Sequence, residues 1–343
     1  METNIKDANE LYLEKTLGTY RPNQYLSNLA IAYYESPEYG HRRVFPVCPV
    51  ALPSGHFYTF AKEDLARNNV QQKPPYGTVA PAIFGISEQS YSCKVYQVLI
   101  GLDKLMVLPY QRTNAPGSGN PERARVQTVT EQLAQQQEMV FAENFFKAGA
   151  WTNEWTGAAA ADPSTKKFLK FDDSGCDPVE FIDDLAIEIR RNGRRRPNKL
   201  ALGVETFAAL KTNKFILDRI KYSGTQQNPA IVNENVLAQV FGVDSVVVLD
   251  ATYNAAGYGK AADMQYVCDS KGALLLYTPD TPAIDMPSAM YCFSWLLDNN
   301  DYIGIQTYEG PAASHSDLIE GIVAFDMKKT SDDLAVYLTN CCG

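Results

Sequence analysis

Two stretches of this chain show the hydrophobic pattern of long helices. In residues 121–148 and again in 177–193, apolar side chains recur every three or four residues, which is the spacing of a helix with one buried face. Asp177 with Glu180 forms a capping-box pattern at the start of the second stretch, and Gly193 is expected to end it. At ~1.5 Å per residue, the first helix would be about 40 Å long.

Other parts of the chain show the alternation of apolar and polar residues that is typical of strands. Residues 55–60 and 90–99 alternate in this way, and about 30 residues rich in Asn, Gln, Gly and Pro separate them. A connection of that length is unusual inside a compact domain, so we expect a long projecting hairpin. Residues 151–173 have no clear period and predict an irregular segment.

The remaining pattern mixes both kinds of element. Residues 197–254 predict a strand, a helix, a basic and aromatic turn, a second helix and a second strand, joined by short connections. Further short strands are predicted at 264–268, 273–277, 289–297, 302–309 and 319–326. Together these elements predict an α+β fold.

The order of these elements, and the amino-acid sequence of several of them, resemble a known family. Residues 197–254 resemble the axial domain of tailed-bacteriophage major capsid proteins with the Hong Kong 97-type fold. Residues 58–68 (YTFAKEDLARN) and 90–98 (SYSCKVYQV) look like the two legs of that family's extended loop, and 121–148 looks like its spine helix. Residues 319–340 look like the family's C-terminal ending. The resemblance therefore covers nearly the whole chain.

The resemblance implies a division of the chain into five parts. These are an N-terminal arm at 1–45, an extended loop with flanking strands at 46–100, a peripheral domain with the spine helix at 101–176, an axial domain at 177–300, and returning peripheral strands with the C-terminus at 301–343. The arm is polar and aromatic with few core anchors, which suits a segment laid across a neighbouring subunit. A helical start to the domain is the alternative.

The resemblance also implies a function. A member of this family is a structural major capsid protein that assembles as homo-pentamers and homo-hexamers into an icosahedral shell around double-stranded DNA. The implied partners are scaffolding and portal proteins, with decoration proteins in some shells, and no membrane. The implied location is the virion, and the host cytoplasm during assembly. The first alternative is an encapsulin, which uses the same fold to enclose cargo enzymes.

Candidate contacts between subunits lie in the extended loop and in two basic turns. They are Tyr58, Phe60, Lys62, Arg67, Lys73, Tyr76, Arg194, Arg195, Arg219 and Lys221. The basic turns have a second interpretation, because cations commonly complement a helix C-terminus and lie in solvent. No local motif selects Lys62 or Lys73 for a covalent cross-link, and none is predicted.

Charge and cysteine usage narrow the possible functions. The net charge of -9 contrasts with the basic surface of a sequence-general DNA binder, so enclosed DNA would be held by confinement. Seven cysteines at irregular spacing, without a CxxC pair, do not predict a disulfide framework, and three histidines make a zinc site improbable. We expect buried free thiols, with Cys341 and Cys342 as the candidates for intermolecular disulfides.

The sequence contains no convincing catalytic motif. GYGK at 257–260 lacks the first glycine and the Ser/Thr of a phosphate-binding loop. Asp183 and Asp184 are adjacent on a predicted helix and point to different faces. No catalytic residue, cofactor or metal is therefore predicted, and an enzyme with an unrecognised site is the second alternative. No secretory signal or membrane-spanning run is found.

Overall fold

The structure is a computed structural model, and it describes most of the chain beyond the predicted arm. The described residues are 39–60, 68, 70, 72–73, 75–78, 86–105, 121–221, 232–257, 259–281, 286–297, 302–310 and 315–343. Most of the predicted N-terminal arm and most of the connection between the first two strands therefore lie outside them.

The described residues form both helices and strands. In chain order they are α1 His41–Val44, β1 Val47–Val50, β2 Ser54–Phe60, β3 Ile86–Ser92, β4 Lys94–Asp103, α2 Pro121–Phe145, β5 Glu154–Ala158, β6 Lys167–Leu169, α3 Pro178–Gly193, β7 Lys199–Gly203, α4 Val204–Thr212, α5 Lys214–Lys221, α6 Glu234–Phe241, β8 Ser245–Leu249, β9 Thr252–Asn254, β10 Met264–Tyr266, β11 Ala273–Leu276, β12 Met290–Trp295, β13 Ile303–Glu309, β14 Ser316–Lys329 and β15 Ala335–Thr339. Two short 3-10 helices, Pro163–Thr165 and Asp332–Leu334, complete the set of described elements.

The described residues divide into two compact units. The first contains Lys94–Ala134 and Trp295–Ala324, and the second contains Pro37–Cys93, Gln135–Ser294 and Phe325–Gly343. Boundaries between the units fall between β3 and β4, within α2, before the last residue of β12 and within β14. The five predicted parts of the chain are a different division and stay a prediction.

In the first unit, β4 and β13 both pair with β14. The pairing of β13 with β14 is antiparallel, from Ile303 opposite Val323 to Glu309 opposite Asp317. Helix α2 buries Val126 and Val129 in this unit, as the helical spacing predicts. Strand β14 approaches the helix so closely at Gly321 that a Cβ atom there would overlap the side chain of Val129.

The second unit is built on a six-stranded mixed sheet in the order β6-β5-β15-β11-β7-β8. Strand β11 is antiparallel to both of its neighbours, whereas β7 and β8 are parallel. Every residue of β11 and of β15 is buried, which is the pattern of central strands covered on both faces. The same unit contains the pairing of β12 with the second part of β14 and the hairpins β2–β3 and β9–β10.

Helices α3 to α6 contribute their apolar residues to the core of this sheet. In α3 the buried side chains recur at helical spacing, and they are Val179, Ile182, Leu185 and Ile189. Asp177 caps the helix by accepting hydrogen bonds from the backbone N–H groups of Val179 and Glu180, as predicted. The prediction for the other end is wrong by one residue, because Gly193 is still helical and Arg194 takes the left-handed conformation with φ 59°.

Three other local predictions are corrected by the structure. The strand predicted at 90–99 is two strands, β3 and β4, because the regular strand conformation is interrupted at Cys93. The segment 151–173 is not irregular, since β5 and β6 form a parallel pair at the edge of the six-stranded sheet. The helix predicted after β7 is divided into α4 and α5 at Asn213, whose side chain accepts from the Phe215 N–H and so caps a new helix.

Candidate functional site

The two strands of the predicted extended loop form a hairpin. Strands β2 and β3 pair in antiparallel register from Ser54 opposite Ser92 to Phe60 opposite Ile86. At the base, the rings of Phe57 and Tyr91 are buried against the ring of Phe293, with centroid distances of 5.3 and 4.6 Å. This aromatic cluster fixes where the hairpin leaves the core of the second unit.

The candidate contacts of the hairpin are only partly described. Tyr58 and Phe60 belong to β2, but their side chains lie outside the described residues, as do Lys62 and Arg67. Lys73 and Tyr76 are described and exposed. Tyr76 has a φ of 60°, which is uncommon for a residue other than glycine, and its ring is fully exposed. Aromatic residues are enriched in protein–protein interfaces, so an exposed aromatic ring in a connecting segment is a candidate interface residue.

The first basic turn follows α3. Arg194 donates its backbone N–H to the carbonyl of Arg190 at 3.0 Å, and its side chain is exposed. Arg195 is exposed as well, and its guanidinium lies 5.9 Å from the centre of the Tyr277 ring. Both arginines are thus exposed at the surface of the second unit, and their positive charge complements the C-terminus of the helix.

The second basic turn contains Arg219 and Lys221 at the end of α5. The guanidinium of Arg219 donates to both carboxylate oxygens of Asp177, over 3.1 and 2.8 Å. A bidentate pair of this kind orients the arginine firmly. Arg219 is therefore occupied within its own chain, and its predicted contact with a neighbour stays a prediction. The side chain of Lys221 lies outside the described residues.

The structure also brings together polar residues that the sequence patterns did not select. His41 lies in α1, Glu138 in α2 and Cys268 just after β10, and all three are buried. The His41 Nδ1 lies 2.5 Å from Glu138 Oε2, and the Cys268 thiol donates to Glu138 Oε1 at 3.6 Å. Glu138 lies four residues after the buried Ala134 and three before the buried Phe141, on the same face of the helix. That spacing is the feature of the sequence from which the burial of Glu138 could have been predicted.

A second buried carboxylate lies in the first unit. Glu320 of β14 accepts hydrogen bonds from the side-chain amides of Gln97 in β4 and Gln306 in β13, the latter at 2.8 Å. The three side chains therefore form a polar row across adjacent strands. Such a row fixes the pairing of the strands.

The thiols of the chain are poorly suited to nucleophilic chemistry. All seven cysteines are free and buried, as predicted, and this includes Cys341 and Cys342, which makes them unsuited to intermolecular disulfides. Burial raises the pKa of Cys176 to about 12 and that of Cys292 to about 12. Within the described residues, no cluster of His, Cys, Asp and Glu could hold a metal ion, and no helix is long and apolar enough to cross a membrane.

Comparisons with known proteins connect this geometry to a class of protein. The chain is 28% identical over 258 residues to the major capsid protein of Burkholderia phage BcepMu, an alignment that covers 74% of this chain and 75% of that protein. The crystal structure of a phage-related protein from Bordetella bronchiseptica RB50 covers 93% of this chain and 97% of its own, with a TM-score of 0.69 and 17% identity. The virus-like particle protein from Pyrococcus furiosus covers 92% of this chain and 100% of its own, with a TM-score of 0.54 and 10% identity. No protein-family model matches the sequence.

These similarities confirm the α+β Hong Kong 97-type fold that the sequence predicts. They also support the prediction of a phage major capsid protein. An encapsulin is supported less well, because the relative detected by sequence is a phage protein.

Proposed function

We propose that this chain is the major capsid protein of a tailed phage and acts as a structural subunit without catalysis. Copies of the chain associate as homo-pentamers and homo-hexamers, which close into an icosahedral shell around double-stranded DNA. The observation that carries the proposal is the sequence similarity to a phage major capsid protein over 258 residues. The match of the fold along 93% of the chain to a phage-related protein adds support.

The hairpin supports a role in joining subunits. Its base is fixed by Phe57, Tyr91 and Phe293, whereas Val70 and Tyr76 in the connection between its strands are exposed, at 88% and 108% of their reference areas. When a partner covers exposed apolar side chains, their surface is removed from water, and this stabilises the complex. We therefore assign residues 62–85 as a clasp on a neighbouring copy.

Partners and location follow from the same proposal. With a net charge of -9, the shell would enclose DNA without binding its phosphates tightly. Scaffolding and portal proteins, and decoration proteins in some shells, would complete the particle. The chain would reside in the virion and would assemble in the host cytoplasm.

Electron microscopy of the overexpressed full chain tests the proposal. Closed shells, or pentamers and hexamers that close when scaffolding protein is supplied, are expected. Absorbance ratios then separate a phage shell that contains DNA from a compartment that contains protein. A monomer or small dimer under all salt and pH conditions would contradict the proposal.

Two variants test the clasp. One deletes residues 62–85, and the other replaces them by a Gly/Ser segment of equal length that still connects β2 to β3. Both should keep the circular dichroism spectrum of the folded chain and lose closed shells. Normal particles from either variant would show that residues 62–85 do not join subunits.

A further inference from the structure

Both ring nitrogens of His41 face oxygen atoms. Nδ1 lies 2.5 Å from Oε2 of Glu138, and Nε2 lies 3.1 Å from the side-chain oxygen of Gln137. A neutral imidazole carries one proton, so one of its nitrogens donates a hydrogen bond and the other can only accept one. A neutral ring beside an ionised Glu138 would therefore leave one of the two contacts without a hydrogen. The geometry requires that the side chains of His41 and Glu138 hold two protons between them.

The surroundings of Glu138 decide where the second proton lies. Oε2 also accepts from the backbone N–H of His41 at 2.9 Å, and Oε1 accepts from the thiol of Cys268 at 3.6 Å. Hydrogen bonds donated to a carboxylate favour its ionised form. The second proton therefore belongs on Nδ1, and the pair consists of an imidazolium and a carboxylate.

This pair of opposite charges is shielded from water. The side chain of His41 is 2% exposed and that of Glu138 is 0% exposed. Burial strongly disfavours a charge that has no counter-ion beside it. The closed site therefore accommodates the pair with two protons, and it is destabilised when the pair holds one proton or three.

Other titratable side chains lie on α1 and on the elements around it, whereas β8, which packs against α1, contributes none. They are Arg42 and Arg43 of α1, Lys199 of β7, Glu234 of α6, Cys292 of β12, and Asp269 next to Cys268. Lys199 donates to the backbone carbonyl of Arg43, and Arg43 forms an ion pair with Glu234. The contacts of the His41 ring within the described residues are those with Glu138 and Gln137, so Glu138 is the counter-ion of the ring.

The pairing makes the closed site sensitive to pH in both directions. In water, an ordinary histidine side chain loses its second proton above about pH 6.5, and an ordinary glutamate gains a proton below about pH 4.3. Opening at high pH therefore releases one proton from the ring to solvent, and opening at low pH takes up one proton on the carboxylate. The ratio of open to closed sites should rise about tenfold for each pH unit above the first value, and about tenfold for each unit below the second.

The pair lies where the described part of the chain begins. His41 is the first residue of α1, and the predicted arm precedes it. Directly after α1, the ring of Phe45 packs against the rings of Phe141 and Phe145 of α2, with centroid distances of 5.4 and 5.1 Å. These aromatic contacts do not depend on charge. Opening therefore releases the turn around His41 while Phe45 stays attached to α2.

We propose that His41 and Glu138 form a pH-sensitive latch at the root of the predicted arm. The latch is closed while the pair holds two protons, and it opens when the pair loses one or gains a third. The inference concerns the folded chain and does not require that copies of the chain form a shell.

Nitrogen NMR of the full chain, labelled with nitrogen-15 in histidine, tests the protonation of the ring. The chain has three histidines, and the other two, His56 and His315, are exposed and serve as the reference for rings in contact with water. At pH 8 the His41 ring should show two protonated nitrogens. His41→Gln assigns its signals by removing them. A ring nitrogen of His41 without a proton at pH 8 would overturn the proposal.

Backbone hydrogen exchange, followed by mass spectrometry, tests the opening. The N–H of His41 donates to Glu138, and the N–H groups of Val44 and Phe45 donate to the carbonyls of Gly40 and His41. After correction for the intrinsic exchange rate at each pH, exchange of this turn should accelerate about tenfold per unit between pH 7 and 9. Exchange that does not change with pH after this correction would overturn the proposal.

Glu138→Gln separates a latch from a merely structural contact. The variant should exchange faster than the parent chain at pH 7 but should lose the additional pH dependence, because the ring can then be neutral in the closed site. A structural contact alone would lower protection at every pH and leave the slope unchanged, and that result would contradict the latch. Glu143→Gln, at an exposed position of the same helix, is the matched control and should keep the rates and slope of the parent. The measurements on the parent chain decide the question if Glu138→Gln does not fold.

The outcome is separable from that of the proposed function. Closed shells seen by microscopy, together with a His41 ring that lacks one proton, would overturn the latch and leave the capsid proposal standing. Two ring protons and a pH-dependent opening in a chain that never forms shells would support the latch and contradict the capsid proposal.

Discussion

His41 and Glu138 form a buried hydrogen-bonded pair that connects α1 to α2. The His41 ring contacts one carboxylate oxygen through Nδ1, and its backbone N–H donates to the same oxygen at 2.9 Å. On its other side, His41 Nε2 lies 3.1 Å from the side-chain oxygen of Gln137. The segment that directly follows residues 1–38 is thereby attached to the long helix.

Removal of either partner should be strongly destabilising. His41→Ala or Glu138→Ala leaves the other polar group buried without its main partner, and we expect a loss of about 3–5 kcal/mol in the free energy of unfolding. The double variant should lose less than the sum of the two, because the groups act as a pair. Urea unfolding measures all three.

The matched control for this pair is Glu143→Ala, since Glu143 lies on the same helix and is exposed. It should change the free energy of unfolding by no more than about 0.5 kcal/mol. Additive losses below about 1 kcal/mol for His41 and Glu138 would contradict a coupled buried pair.

Gly321 is required by the packing of β14 against α2 within the first unit. Gly321→Ala places a Cβ atom against Val129 and Leu133, and overpacking of this kind should destabilise the chain by about 1–3 kcal/mol. Val129→Ala in the same chain should recover part of the loss, because it removes the atoms that overlap. Thermal unfolding gives the comparison. Gly257→Ala is the control, since no described atom lies within 4 Å of the added Cβ.

The sequence predicts those elements best whose apolar period is clear. The stripe of α3 is an example, because a single buried face determines its pattern. It fails for β5 and β6, which are short and whose pairing in the sheet depends on β15, far away in the chain. Glu138 was missed for a related reason, since a pattern of apolar positions assigns an acidic residue to the surface.

The candidate contacts between copies of the chain are harder to predict from the sequence than the helices and strands. Exposure of Tyr76 and Arg195 is consistent with the prediction, but a contact between copies depends on how two chains meet. The residues around Asp177 illustrate the difference. The helix cap could be predicted from local sequence, whereas its ion pair with Arg219 needed the three-dimensional fold.

Buried thiols should make the stability of the chain fall at high pH. Burial raises the pKa of Cys176 and Cys292 from 9.0 to about 12. Between these values the unfolded chain loses the thiol protons and the folded chain keeps them, so the free energy of unfolding falls as pH rises, by up to about 1.4 kcal/mol per pH unit for each thiol. Below pH 9 the full contribution is present.

Cys176→Ala and Cys292→Ala test this dependence. Each variant should show a shallower decline in stability between pH 9 and 12 than the parent chain, because one thiol no longer ionises on unfolding. Urea unfolding at several pH values gives the slopes. If the parent chain and the variants show the same slope, the pKa values of these thiols do not differ between the folded and unfolded states.

Asp177 and Arg219 allow a role in stability to be separated from a role in assembly. Asp177→Ala removes both the helix cap and the ion pair, and should destabilise the chain by about 1–2 kcal/mol. Arg219→Ala removes only an exposed ion pair, so its loss should stay below about 1 kcal/mol. If Arg219 also contacts a neighbouring copy, its substitution should reduce the yield of closed shells more than Asp177→Ala does. Chemical unfolding and particle counts on preparations of the two variants make the comparison. If the yield of closed shells falls only in proportion to the loss of stability, Arg219 acts within its own chain and does not contact a neighbouring copy.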